Sequence, residues 1–174
     1  MIENPTSGER IVIRESGHSN GGERLVFDLY LPPGCHVPAG HAHPAQEERF
    51  TVISGRIRFR LGRKTIGASP GETVLVPRGA AHWFGNDGAE VAQARVEVRP
   101  ALRMEELLEA TAALGAGRHL PGTWIPAPSR LAAVLIEFQS ELAVPHLPAR
   151  LTRPALAMLA RLGSRKAASQ RNQR

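Results

Sequence analysis

Up to about Pro100 the chain alternates apolar and polar positions in short runs, each closed by glycine or proline. The clearest run is "RIRFRL" (56–61), where Ile57, Phe59 and Leu61 point one way and Arg56, Arg58 and Arg60 the other. A period of two is that of an extended strand with one buried and one wet face. Runs of the same kind at 10–14, 24–31, 48–54, 72–77, 82–86 and 90–98 predict further strands. Many short strands separated by Gly/Pro turns predict a sandwich or barrel.

After Pro100 the period lengthens. Met104, Leu107, Leu108, Thr111 and Leu114 recur at helical spacing, as do Leu131, Val134, Leu135, Phe138 and Leu142. A third, shorter helix is expected around "ALAMLARL" after Pro154, and a proline-stiffened loop, "GAGRHLPGTWIPAPS", separates the first two. The organisation predicted is a β domain over residues 1–100, a helical extension over 101–162 and a basic tail over 163–174. Helices with one apolar stripe each must pack on something, either the sheet or a partner subunit.

Charge changes the picture only at the C-terminus. The net charge is +6, but residues 1–149 hold 15 Lys/Arg against 16 Asp/Glu, and the last 25 residues hold 7 basic groups and no acid. A basic end without interleaved aromatics reads as a solvated tail, so nucleic-acid binding is not expected. No run reaches the length of a membrane span, and the opening "MIENPTSGER" lacks the regions of a signal peptide. The single cysteine, Cys35, excludes an internal disulfide and fits a reducing cytoplasm.

Candidate chemistry lies in "GHAHPAQEERFTVISG" (40–55). On an extended segment His41 and His43 point to one face, so their imidazoles can converge on one ion. Glu48 shares its face with Phe50 and Val52, whereas Glu47 shares one with Arg49 and Thr51. A carboxylate on an apolar face is costly unless paired or bound to metal, which selects Glu48 as the ligand candidate. His82 alternates with Phe84 and therefore also faces inward. Three imidazoles and a carboxylate suit one divalent transition metal (Fe, Mn, Ni, Cu, Co or Zn), with open positions for water or substrate.

These residues resemble the two motifs of the cupin superfamily. His41, His43, Glu48 and Gly55 fit the first, and Gly71, Pro77, Gly79, His82 and Asn86 the second, 15 residues apart as in compact microbial cupins. The leading glycine of the first motif is displaced: Cys35 stands at its place and Gly34 precedes it. The resemblance implies an all-β double-stranded β-helix (jelly-roll) barrel with a C-terminal α-helical extension and a metal inside. The whole chain is also similar to small bacterial cupins in which "VEVRPALRMEELLE" leads into helices.

Other polar residues read plainly. Cys35 and His36 fall in the turn "PPGCHVPAG", and His18, His119 and His146 read as surface. Asp28 and Tyr30 lie opposite Leu25, Phe27, Leu29 and Leu31 and are expected outward; Gln93 and Arg95 are expected on a solvated strand face. Three functions compete. One is a metal-dependent enzyme, of dioxygenase, lyase or isomerase type, with Phe50, Val52, Ile57, Phe59 and Phe84 lining the pocket of a small anionic or chelating substrate and Glu48 as ligand or catalytic base. The second is a non-catalytic module that binds or senses a small molecule, and the third is structural, a metal that only stabilises the barrel. A homodimer is expected on every reading, because open sheet edges and apolar helix stripes need cover.

Overall fold

The structure, a computed structural model, describes residues 1–37, 39–117, 127–145 and residue 157. Among the described residues nine strands form in chain order: Ile2–Glu3 (β1), Arg10–Glu15 (β2), Leu25–Leu31 (β3), Glu47–Ser54 (β4), Ile57–Leu61 (β5), Lys64–Ala68 (β6), Thr73–Val76 (β7), His82–Gly85 (β8) and Ala92–Arg99 (β9). Their pairings are antiparallel. One sheet has the order β1-β2-β3-β9-β4-β7 and the other the order β6-β5-β8.

The alternation dictates how these sheets meet. Leu25, Phe27, Leu29 and Leu31 of β3, Phe50 and Val52 of β4 and Ala92, Ala94, Val96 and Val98 of β9 all turn inward from the large sheet. Ile57 and Phe59 of β5 and Phe84 of β8 turn inward from the small one. The rings of Phe50, Phe59 and Phe84 meet in the middle, with centroids 5.1 to 6.1 Å apart in tilted or edge contacts. Such geometries suit the ring quadrupole. The predicted outer arginines Arg56, Arg58 and Arg60 are exposed.

Two strands escape a reading of alternation. β1 is only two residues long, and β6, "KTIGA", carries just two apolar positions, Ile66 and Ala68, beside a glycine. Pairing with β5 across a tight turn at Gly62, rather than a strong pattern of its own, makes β6 a strand. Asp28 is a correction of another kind. It lies on the predicted outer face, yet its side chain is only 2% exposed, because Arg14 and Arg95 fold over it at 2.8 and 2.9 Å. Burial works against its charge, but the two guanidiniums outweigh that and hold the carboxyl below its usual range. Gln93, on the same face, donates to the Tyr30 hydroxyl at 3.2 Å.

The helical part begins with Met104–Gly115 (α1) and continues with Pro128–Glu137 (α2), whose proline sits in the first turn. The second stripe stops earlier than its period predicts. Phe138 leaves helical geometry, buries itself in the core, and the chain turns through residues 138–141, so Leu142 is not helical. The predicted third helix (apart from Ala157, which is helical), His119, His146 and the basic tail lie outside the described residues.

Candidate metal centre

The site forms where the two sheets meet. β4 of the large sheet presents Glu48, opposite Val76 and Val98, and β8 of the small sheet presents His82. His41 and His43 come from the segment before β4, which is extended but belongs to neither sheet. His41 makes an antiparallel bridge with His82, its N–H donating to the His82 carbonyl at 2.9 Å and its carbonyl accepting at 2.8 Å. The expectation that the pair shares one face therefore holds through single bridges rather than through a continuous strand. Gly79 N–H adds a bond to the His43 carbonyl at 2.8 Å.

Among the described residues, one ring nitrogen from each of His41, His43 and His82 lies within 4.8 Å of the other two. Glu48 Oε2 is 3.4 Å from His43 Nε2 and 3.1 Å from His82 Nε2. Each imidazole is tied at its other nitrogen. His41 Nδ1 donates to the Ala39 carbonyl at 3.2 Å, His82 Nδ1 to the Ala80 carbonyl at 3.1 Å, and His43 Nδ1 to the Glu141 carbonyl. A carbonyl only accepts, so each Nδ1 carries the proton and each Nε2 is turned toward the centre. This is how metal-binding histidines are oriented.

Two atoms in the cluster are left without partners. Glu48 Oε2 and His82 Nε2 are buried, and neither makes an aligned hydrogen bond despite their proximity. Orphaned polar atoms in an interior are costly, and a cation between them removes the cost, so the donor set fits a divalent ion.

The electrostatics divide the histidines. Burial first, then the neighbouring His82 and His43, pushes His41 down to about 4, so it is neutral at pH 7. Burial also opposes charge on His43, but the Glu48 carboxylate outweighs it and raises the imidazole above its ordinary 6.5. For Glu48 burial favours the neutral acid, yet His43 and His82 keep it ionised, well below its usual range.

Residues 27–98 match the Cupin domain family. They are a cupin domain. Solved structures share its fold. A protein with a double-stranded β-helix domain from Klebsiella pneumoniae is 22% identical, covering 58% of this chain and 85% of its own, with a TM-score of 0.50. A predicted oxalate decarboxylase from Thermotoga maritima is 21% identical, covering 57% and 89%, also at 0.50. No curated protein matches the chain in sequence.

Within the cupin domain the remaining motif residues hold shape. Gly55 has φ +69°, and a Cβ there would stand 2.7 Å from Ala92 Cα, so only glycine fits. Asn86 is buried, donates to the Leu31 and Glu90 carbonyls at 2.8 and 2.7 Å, and accepts from Gly88 N–H at 2.8 Å. Phe50, Val52, Ile57 and Phe59 are buried in the core, and of the expected pocket residues Phe84 faces the His41 ring, 6.5 Å between centroids. His36 bridges Gly85 and tilts against Trp83, a structural role, and burial pushes the Cys35 thiol up to about 11.

Two residues near the site carry no sequence signal. Gln46 is buried and donates to the Pro100 and Ala101 carbonyls at 3.1 and 2.8 Å, fastening the start of β4 to the chain entering α1. Glu141 supplies the carbonyl behind His43 from 98 positions away.

Proposed function

We propose that His41, His43, Glu48 and His82 hold one divalent transition metal and that the chain is a metal-dependent enzyme acting on a small anionic or chelating organic molecule. The observation that carries this reading is the set of three imidazoles, each tied at Nδ1 to a carbonyl, whose Nε2 atoms converge beside an orphaned carboxylate oxygen. The ion would supply Lewis acidity to an oxygen of the substrate. Three neutral imidazoles and one carboxylate leave a divalent ion with one positive charge, which favours an enolate, diketone or phenolic acid as ligand. The Phe50, Phe59 and Phe84 rings pack together, and Phe84 lies beside the His41 ring, so this side of the site would be apolar. Cys35, with its thiol pushed up to about 11, is no activated nucleophile.

Glu48 is either a ligand throughout or the base that takes a proton from the substrate. Elemental analysis of protein purified without an affinity metal is expected to find one transition-metal ion per chain. A His43→Ala, His82→Ala double variant is expected to lose it on dialysis, and full retention would refute the site. Glu48→Gln with metal retained and turnover lost supports the base role; unchanged turnover excludes it. Protein loaded in turn with Fe, Mn, Ni, Cu, Co and Zn that converts none of these substrate classes leaves the non-catalytic binding module as the function.

A further inference from the structure

The three histidines do not depend on the same parts of the chain. His41 and His82 find their carbonyls two residues back, at Ala39 and Ala80, inside the cupin domain. His43 finds its own at Glu141, beyond α2 and outside the residues that match the family. The same segment pairs with the metal loop: Ala42 N–H donates to the Ala143 carbonyl at 3.0 Å, and Ala143 N–H returns a bond to the Ala42 carbonyl at 2.9 Å. The loop is thus held on two edges, at His41 by β8 and at Ala42 by residue 143.

The docking segment is itself firmly seated. Phe138 is buried in the core, and the Arg103 guanidinium lies over its ring at 4.7 Å. Arg103 also donates from its backbone to the buried Glu141 carboxylate at 3.3 Å and from its side chain to Glu137 at 3.0 Å. The start of α1 therefore clamps the end of α2, and Gln46 ties the start of β4 to that clamp.

We infer that residues 138–143 latch the metal centre, with Glu141 a positioning residue that acts through His43, so that docking of this segment and metal binding strengthen each other. The inference rests on the metal reading proposed above. An imidazole's outer torsion is broad, so only packing and the bond at Nδ1 fix where Nε2 points. Without the Glu141 carbonyl the buried Nδ1–H of His43 has no acceptor, and the ring gains by turning or by moving its proton to Nε2. Either change removes a lone pair from the centre. Coupling of this kind is reciprocal: whatever the latch adds to metal affinity, the metal adds to latching.

Zinc(II) affinity, measured by chelator competition on the metal-free full chain, tests this. Ala143→Pro removes one of the two backbone bonds that hold the latch and is expected to weaken zinc binding by about 10- to 100-fold. In a His43→Ala background the same substitution should cost nothing further, since the residue it acts through is gone. An equal loss in both backgrounds, or no loss in either, would overturn the inference. Should Ala143→Pro fail to fold, amide exchange of the unaltered chain decides. Saturating zinc is expected to slow exchange at Ala143 by about tenfold or more, and an unchanged rate there overturns the latch. Unaltered chain that binds no zinc or other transition metal removes the metal reading and the latch together, whereas normal zinc binding with an uncoupled Ala143 removes the latch alone.

Discussion

At His43 two opposing effects meet: burial, which disfavours charge, and the Glu48 carboxylate, which favours it and prevails. The metal-free imidazole is consequently protonated to a pH above 6.5, with the extra proton on Nε2 facing Glu48. A metal must displace that proton. Apparent zinc affinity is therefore expected to rise with pH in the range just above 6.5, and titration calorimetry in buffers of different ionisation enthalpy should show proton release on binding. A pH-independent affinity there would contradict the pairing. The metal-free fold follows the same groups with definite signs. His43, raised, contributes stability present in full below 6.5 and lost as pH rises through its folded value. His41, lowered to about 4, makes the fold lose stability as pH falls from 6.5 toward 4. Glu48, also lowered, adds to that loss as pH falls below 4.5.

At the scale of elements, the sheets are joined where Phe50 of β4 meets Phe59 of β5 and Phe84 of β8. Because β4 also carries Glu48 and β8 also carries His82, the packing that holds the sheets together sets the spacing of the site. Phe59 is wholly buried, so Phe59→Ala removes both burial and contacts on two sides. It is expected to cost about 3–5 kcal/mol of stability, read from urea midpoints with an unchanged slope. Arg60→Ala, on the wet face of the same strand, should leave the midpoint close to that of the unaltered chain. Comparable losses at the two positions would mean that β5 does not present the faces described.

For the whole molecule, the large sheet ends at β7, an edge strand on which Leu75 is exposed, and Ile53, further along the neighbouring β4, is exposed as well. Edges of this kind invite pairing, and a second copy of the chain would cover them by symmetry. Light scattering at micromolar concentration is expected to give roughly twice the 18.8 kDa chain mass. A chain cut after residue 162 should assemble equally well, since residues 163–174 are rich in basic groups and have no apolar period. Monomer alone would count against the dimer. No helix among the described residues is long and apolar enough to cross a membrane.

The sequence by itself determined whatever depends on near neighbours along the chain. Alternation separates Glu48 from Glu47, places His82 beside Phe84 on the inner face, and turns Arg56, Arg58 and Arg60 outward, because strand geometry assigns faces by parity alone. Motif spacing marked the cupin domain for the same reason: its turns demand glycine at particular positions, Gly55 among them. Parity says which face a residue takes but not what covers that face. Asp28 is outward and still buried, because two arginines from other strands close over it. α2 ends at Glu137 although its period runs on, because burying Phe138 and bonding residue 143 to the metal loop outweigh further helical turns. Glu141 had no signature to find: it acts on His43 through a backbone carbonyl, which every residue possesses, and only the folded chain brings that carbonyl to the imidazole across 98 positions.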